Sequence, residues 1–427
     1  MDVANHEDWL RSLRRELHRR PEPAWREFYT TARIVEELRS LPVDRITLGP
    51  DLLAEDARMG VPDEEELTAW LERARETDVD QAVLDRLAGG YTGVMATLER
   101  GPGPTIALRV DIDGLPQRES DAPNHHPAAS GFRSEHDGYM HACGHDGHAA
   151  IGLGVIKTIA ESDFSGTLKV VFQPAEELIG GGKPIAESGH LDDVDTLLAI
   201  HLGLDHPTGE IVAGIDDFLA VSHLDAAFEG EPAHAGAHPE AGRNAVQAMA
   251  TAVQNLYAIP RHSDGATRVN AGRVGGGTAS NIIAEDAFIE GEIRGETTAL
   301  MEDTKRKARR VFRAAADMHG CDVEIESVGE APSARSDQVV VDIVETAATN
   351  ADGVDSVIER DSLGGSEDAT YLMQRVQETG GNAGYVGIGT DHPGGHHTAT
   401  FDVDEASILI GVDVLTSAIL ALATTED

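Results

Sequence analysis

The sequence predicts an α/β fold: a mostly parallel central sheet flanked by helices, interrupted by a smaller inserted α+β domain. Three observations point to it. Strand-like and helix-like segments alternate from residue 105 onward, in "TIALRVDID", "HAAIGLGVIKTIAES", "TLKVVFQP" and "TLLAIHLG", and such alternation favours parallel strands joined by helices. The texture changes after about residue 214 and changes back beyond "GEAPSARSD". A chain of 427 residues also exceeds what one hydrophobic core usually organises.

Taken in order, residues 5–40 carry apolar positions at helical spacing (Trp9, Leu10, Leu13, Leu17, then Ile34, Val35, Leu38), broken by the turn "RRPEPAW", so two helices open the chain. Residues 51–90 are charged and helical in period, and read as a surface insertion within the first part of the larger domain, residues 1–214. The alternating block beginning at 105 follows. Residues 215–328 show strands near 219–229, 267–275 and 286–296 with helices near 240–258 and 298–319, an α+β insertion on an antiparallel sheet. Residues 329–427 return to the α/β pattern and complete the first domain.

Charge sets the surface apart. Against 75 acidic residues stand 34 basic ones, of which five are lysine, for a formal net charge of −41. The acids are scattered among periodic apolar positions rather than massed in a tail, so the composition reads as a salt-adapted, halophilic surface: at molar salt the Debye length falls to about 3 Å and self-repulsion is screened. No basic stripe suggests nucleic-acid binding. The two cysteines, Cys143 and Cys321, make no disulfide framework. No leader-like N-terminus and no run of about 18 apolar residues stands out, so a cytoplasmic protein without a membrane partner is expected.

Chemistry concentrates in "MHACGHDGH", residues 140–148, where one cysteine and three histidines share nine positions. Thiolate and imidazole suit borderline-soft divalent ions, and carboxylates extend the set toward harder ones. A histidine-rich loop alone proves little. Coincidence of position strengthens it: Cys143 and His145, the acids Glu176 and Glu177 in "QPAEE", His201 ending "LLAIH", and the late "GGHHTATFDVDE" all close strands or open helices, as do Asp111 and Asp113. Ligands of open α/β sheets gather at such strand ends. Neighbouring side chains diverge at the end of a strand, so one of Glu176 and Glu177 can hold a metal while the other serves as a base.

Together "RVDIDGLP", "MHACGHDGH", "FQPAEE", "GGTASNIIAEDA", "GGSEDA" and "HHTATFDVDE" resemble the amidohydrolase branch of the aminoacylase and carboxypeptidase G metallopeptidase family, over nearly the whole chain. The resemblance implies two divalent metal ions, zinc or manganese with cobalt also fitting, held by Cys143 as bridging ligand with His145, Glu177, His201 and His397. Of His396 and His397 it favours the second, four residues before Phe401. It implies Glu176 as general base and Asp111 as an orienting residue, although Arg109 stands where relatives place a histidine. The inserted domain would serve dimerisation or act as a lid, with His234 steadying a developing oxyanion and Asn281 and Arg294 holding a substrate carboxylate. The implied reaction is hydrolysis of the amide of an N-acyl or N-aroyl amino acid, p-aminobenzoyl-glutamate being one candidate, by a homodimer or a heterodimer with a related subunit. Two rivals stand against it: a cysteine hydrolase using Cys143, and a metal-loaded partner subunit without activity.

Overall fold

In the computed structural model, which describes residues 3–392 and 394–424, the chain divides into two units. The first comprises residues 1–216, 334–363 and 367–427, the second residues 217–333 with 364–366.

The larger unit is built on an eight-stranded sheet in the order Arg45–Leu48, Val94–Glu99, Thr167–Gln173, Thr105–Asp111, Thr196–Leu202, Asn382–Ile388, Glu210–Val212 and Ser356–Ile358. The four central strands, Thr167–Gln173 through Asn382–Ile388, run parallel, and antiparallel pairs lie toward the margins. The central strands are almost wholly buried, Thr196–Leu202 at every position, and this explains their predominance of Val, Leu, Ile and Ala. Parallel strands share one direction, so Asp111, Gln173, His201 and Ile388 all lie toward one edge.

Helices cover the sheet. His145–Ala160 packs against Glu7–Arg19 and Ala406–Thr424 and is buried at nearly every position. Contrary to the expectation of no long apolar run, the helix Ala406–Thr424 has a mean hydropathy of 2.1 over its most apolar window, enough by length and composition to cross a membrane. Its apolar run is broken by Asp413, however, and it packs against His145–Ala160 and Gln338–Thr349 as a core helix. Residues 51–90 form two capped helices, Glu64–Arg75 with Asp63 accepting from the Glu66 amide and Gln81–Leu87 with Asp80 accepting from the Ala82 amide. Trp70 of the first meets Tyr139 edge-on at 5.0 Å, within the loop that leads into "MHACGHDGH".

The ends of the long excursion, at residues 216 and 334, lie close together: the Ser336 amide donates to Asp216 at 2.9 Å and its hydroxyl to the Ile215 carbonyl at 2.8 Å. The second unit is a four-stranded antiparallel sheet, ordered Asp322–Ala331, Ala220–Glu229, Asp286–Gly295, Thr267–Gly276. Its helices Ala245–Tyr257 and Thr298–Met318 close a core around Phe228, Ile289 and Phe312. The strand Asp322–Ala331 adds to the three that the sequence predicts; it alternates exposed and half-buried positions with several acids, and so lacks a strong apolar signal.

Candidate metal centre

The nonapeptide bends into position because two glycines permit it. Gly144 has φ +87°, in the left-handed region, immediately before the helix His145–Ala160. At Gly147 a Cβ would stand 2.6 Å from Leu202 Cδ1, so glycine lets this first turn sit against the end of the strand that carries His201 without displacing the Leu202 side chain. Glu176 and Glu177 are aimed by a second unusual backbone: Ala175 holds φ +54°. Its amide donates to buried Glu27 at 2.7 Å, and its carbonyl accepts from Gly180 and Gly181.

Cys143 lies at the meeting point of two groups. Its Sγ is 3.4 Å from His201 Nε2 and 3.4 Å from His396 Nδ1. It also shares a cluster with His145 and Glu177, whose potential ligand atoms lie within 4.8 Å of one another. His145 Nε2 is 3.9 Å from Glu177 Oε1, and both atoms are buried without a hydrogen-bond partner. Unpaired buried polar atoms are costly, so a facing pair of them beside a thiol suits a cation.

Hydrogen bonding decides which rings have a lone pair to give. His145 Nδ1 sits 3.0 Å from the Asp113 carbonyl oxygen and 3.2 Å from its carboxylate, so it donates and Nε2 faces the cluster. His201 Nδ1 donates to the Leu202 carbonyl at 2.7 Å, leaving Nε2 toward Cys143. His148 differs: its Nδ1 is bonded to Asp111 and its Nε2 accepts from the Leu202 amide at 2.8 Å. Both nitrogens are committed, so His148 holds Asp111 in place rather than offering a ligand.

The two adjacent imidazoles His396 and His397 face different partners. The sequence points to His397, yet the structure brings His396 to the Cys143 sulfur and sets His397 half-exposed, 3.5 Å from Glu177. The physical reason is local: His397 has φ +58°, which turns the two neighbouring rings apart. His396 Nε2 accepts from the Leu204 amide at 3.1 Å, so its proton resides on Nδ1 and points at the sulfur as a donor. His396 in this arrangement supports the thiolate, while His397 has an open nitrogen beside Glu177.

Asp111 finds partners other than the histidine of its relatives. Fully buried Arg109 donates to it at 2.7 Å and to Gln173 at 2.9 Å, and Asp368 accepts from Gln173 at 2.6 Å and from the Gly182 amide at 2.7 Å. Two acids to which the sequence assigns no role join the site: Asp113, which orients His145 and accepts from the Glu177 amide at 3.0 Å, and Glu367, whose carboxyl is bonded to Glu176. The signal for Glu367 is present in "GGSEDA", but no periodicity ties it to the cluster.

Electrostatically the site is a cation trap. Burial pushes the Glu176 carboxyl well up, and Glu367 and Glu177 push it further. Glu177 rises to about 8, chiefly through burial and despite His145. Burial pulls His145 down, but Asp111, Asp113 and Glu177 outweigh it and hold the ring at about 10. The cluster thus draws positive charge to the place where the unpaired atoms face each other. His201 is lowered to about 4 by burial, which leaves its ring neutral with a lone pair on Nε2.

The remaining expected residues belong to the second unit. His234 is exposed, and its Nδ1 accepts from the Gly236 and Ala237 amides at 3.1 Å each, so its Nε2 carries the proton. Asn281 is exposed, its carbonyl accepting from the Ala235 amide at 3.0 Å. Arg294 forks onto Glu292 at 3.1 and 3.2 Å, the strand-surface ion pair that competes with a substrate-binding role.

Comparison with known proteins completes the picture. Residues 107–421 match Peptidase family M20/M25/M40. The chain is 43% identical to indole-3-acetyl-aspartic acid hydrolase of Enterobacter agglomerans, covering 94% of this chain and 93% of the relative. It is 41% identical to one of the subunits of p-aminobenzoyl-glutamate hydrolase from Escherichia coli (strain K12), covering 95% and 94%. Among solved structures it superposes on an aminobenzoyl-glutamate utilization protein from Klebsiella pneumoniae with a TM-score of 0.85 at 35% identity, covering 98% and 97%.

Proposed function

Because the chain belongs to peptidase family M20/M25/M40 and is a hydrolase, we propose that it is a metal-dependent amidohydrolase cleaving N-acyl or N-aroyl amino acids of the p-aminobenzoyl-glutamate or indole-acetyl-aspartate type. The observation that carries this is the facing pair of unpartnered buried atoms, His145 Nε2 and Glu177 Oε1, beside Cys143. Two divalent ions would fit, one held by Cys143, His145 and Glu177, the other by Cys143, His201 and an imidazole of the His396 and His397 pair. Zinc, manganese and cobalt all suit this donor set. When bound, such ions acidify water and polarise the amide carbonyl.

Glu176 performs the proton transfers. Held in a buried site beside Glu367, it takes a proton from the attacking water and returns it to the departing amine nitrogen as the carbon–nitrogen bond breaks. Asp111, fixed by Arg109 and His148, keeps the His145 side of the cluster in place. His234, Asn281 and Arg294 would serve the oxyanion and the substrate carboxylate, Arg294 by exchanging Glu292 for substrate. Pairing with a second subunit, of the same or a related chain, would use the second unit, whose edge strand Thr267–Gly276 exposes Val274.

A cysteine-nucleophile mechanism is disfavoured. Burial and the carboxylates Glu177, Glu176 and Glu367 push the Cys143 thiol well above its usual range, whereas a nucleophilic cysteine needs the reverse. The deciding experiment is hydrolysis of an N-acyl amino acid panel after chelation and after return of divalent metal, with Glu176→Gln as control. Activity lost on chelation, regained with metal and absent in the variant is expected; activity indifferent to chelation returns the cysteine mechanism, and no activity in any state favours a non-catalytic partner subunit.

A further inference from the structure

Between the two opening helices the stretch 19–27, "RRPEPAWRE", carries two buried acids, Glu22 and Glu27. Glu27 stands at the start of the helix Phe28–Ser40, where side-chain acceptors ordinarily satisfy the first free amides. Glu22 does that instead, accepting from the Tyr29 amide at 2.9 Å and the Thr30 amide at 2.8 Å. Glu27 makes no cap bond, and its carboxylate is free to reach away from the helix. One oxygen accepts from the Ala175 amide at 2.7 Å and the other from the Thr92 hydroxyl at 2.6 Å.

Ala175 is where the strand Thr167–Gln173 gives way to Glu176 and Glu177, and its φ of +54° is costly for a residue with a Cβ unless its neighbours hold it there. The far end of the same loop is held by Asp368, which accepts from the Gly181 amide at 3.0 Å and the Gly182 amide at 2.7 Å. On its outer side the Met59 carbonyl accepts from Trp25 at 2.8 Å and lies so near Gly180 that a Cβ there would stand 2.6 Å from it. We infer that Glu27 is a positioning residue of the hydrolytic site: by fixing the Ala175 amide it sets the directions in which Glu176 and Glu177 leave the strand. The task calls for an acceptor toward Ala175 and a partner for Thr92, not for a charge. A glutamine supplies both, its oxygen accepting from Ala175 and its amide nitrogen donating to Thr92. The kinetic consequence rests on the amidohydrolase reading; the consequence for metal retention by Glu177 can be measured without it.

The test measures kcat and KM for p-aminobenzoyl-glutamate at saturating divalent metal, together with metal retention against a competing chelator. Glu27→Leu should lower kcat about 10²-fold with KM little changed, the cost of misplacing a reacting group by about 1 Å, and should release metal more readily. Glu27→Gln should preserve both properties. Ala175→Gly, which takes the left-handed angle without a Cβ penalty, should return part of the lost rate when added to Glu27→Leu. Val344→Ala, a core substitution in the helix Gln338–Thr349, should lower the unfolding midpoint and leave kcat unchanged. Where Glu27→Leu does not fold, Thr92→Val decides: a lowered kcat with weaker metal retention supports the role, and wild-type values overturn it. Wild-type kcat and metal retention in folded Glu27→Leu, or equal impairment by Glu27→Gln, overturns the positioning role and leaves the amidohydrolase reading intact. A metal-loaded wild type that cleaves no N-acyl amino acid removes the amidohydrolase reading instead, and metal retention in the variants then decides the positioning role alone.

Discussion

Arg14 and Asp146 are both fully buried and lie 2.7 Å apart, an ion pair that ties the opening helix to the residue following His145. The same guanidinium reaches Asp402, in the segment after His396 and His397, and His18 adds a 2.8 Å contact to Asp146. Two chain segments that supply the candidate ligands are therefore held by one buried arginine. Removing one partner of a buried pair costs roughly 3–5 kcal/mol. Arg14→Met should lower stability by about that amount in chemical denaturation, and Arg14→Met with Asp146→Asn should cost less than the sum of the singles; additive losses would show the pair to be energetically idle.

His18 gives this network a pH signature. Burial and the Arg14 charge pull its imidazole down, but Asp146 and Glu119 outweigh them and hold it at about 9. The folded chain binds this proton more tightly than the unfolded chain does, so the stabilisation is whole below pH 6.5 and is lost as pH climbs through about 9. Its size is roughly 3 kcal/mol. Buried Glu22, raised to about 8 chiefly by burial, also loses stability with rising pH, but from 4.5 upward. Unfolding midpoints measured between about pH 6.5 and about pH 9.5 should fall in the wild type and flatten in His18→Gln; an unchanged slope in the variant would assign the effect elsewhere.

Ring tautomers predict metal stoichiometry. His145→Ala and His201→Ala should each lower bound metal by about one equivalent in elemental analysis. His148→Ala should keep both equivalents but weaken their retention, by about 10- to 100-fold, as loss of an orienting partner does. Comparing His396→Ala with His397→Ala settles the adjacent pair: the present geometry favours the larger metal loss from His397, with the reverse result assigning the ligand to His396.

Metal should also stabilise the fold, because the ions bind only where the carboxylates, thiol and imidazoles are assembled. At about 100 times its dissociation constant a ligand adds ~2.7 kcal/mol. Thermal unfolding of chelated protein should therefore occur several degrees below that of metal-restored protein. Glu177→Gln should shrink the difference, and a midpoint indifferent to metal would argue against an assembled site.

The formal charge of −41 leads to a further expectation. Raising potassium chloride from about 0.1 M to about 2 M shortens the screening length from ~10 Å to a few ångströms, so the unfolding midpoint should rise. A flat or falling midpoint would remove the salt-adapted reading.

Much of this architecture is legible in the sequence because periodicity and burial agree. The short, mostly apolar segments at 105–111, 167–173 and 196–202 announce central parallel strands, and strand ends then locate Asp111, Glu177 and His201 without knowledge of the packing. The choice between His396 and His397 is not legible, since it depends on one backbone angle. Glu367 and Asp368 are also hidden: they sit before a helix, in a glycine-rich stretch without period, and only the folded chain brings them to Glu176 and Gln173. Arg109 looks like the loss of a partner for Asp111, whereas in the fold it supplies one.

The Ser336 contacts to Asp216 and Ile215 pin together the two ends of residues 217–333, the long segment by which the chain leaves the larger unit. A segment tethered at such a narrow neck behaves as a cassette. It could be excised and bridged by a short glycine-containing turn, or exchanged for another sequence of different length, with little strain on the scaffold that holds Cys143 and His201. Recombination there would leave the scaffold of the metal ligands in place while exchanging, in one event, the residues proposed to meet the oxyanion and the substrate carboxylate.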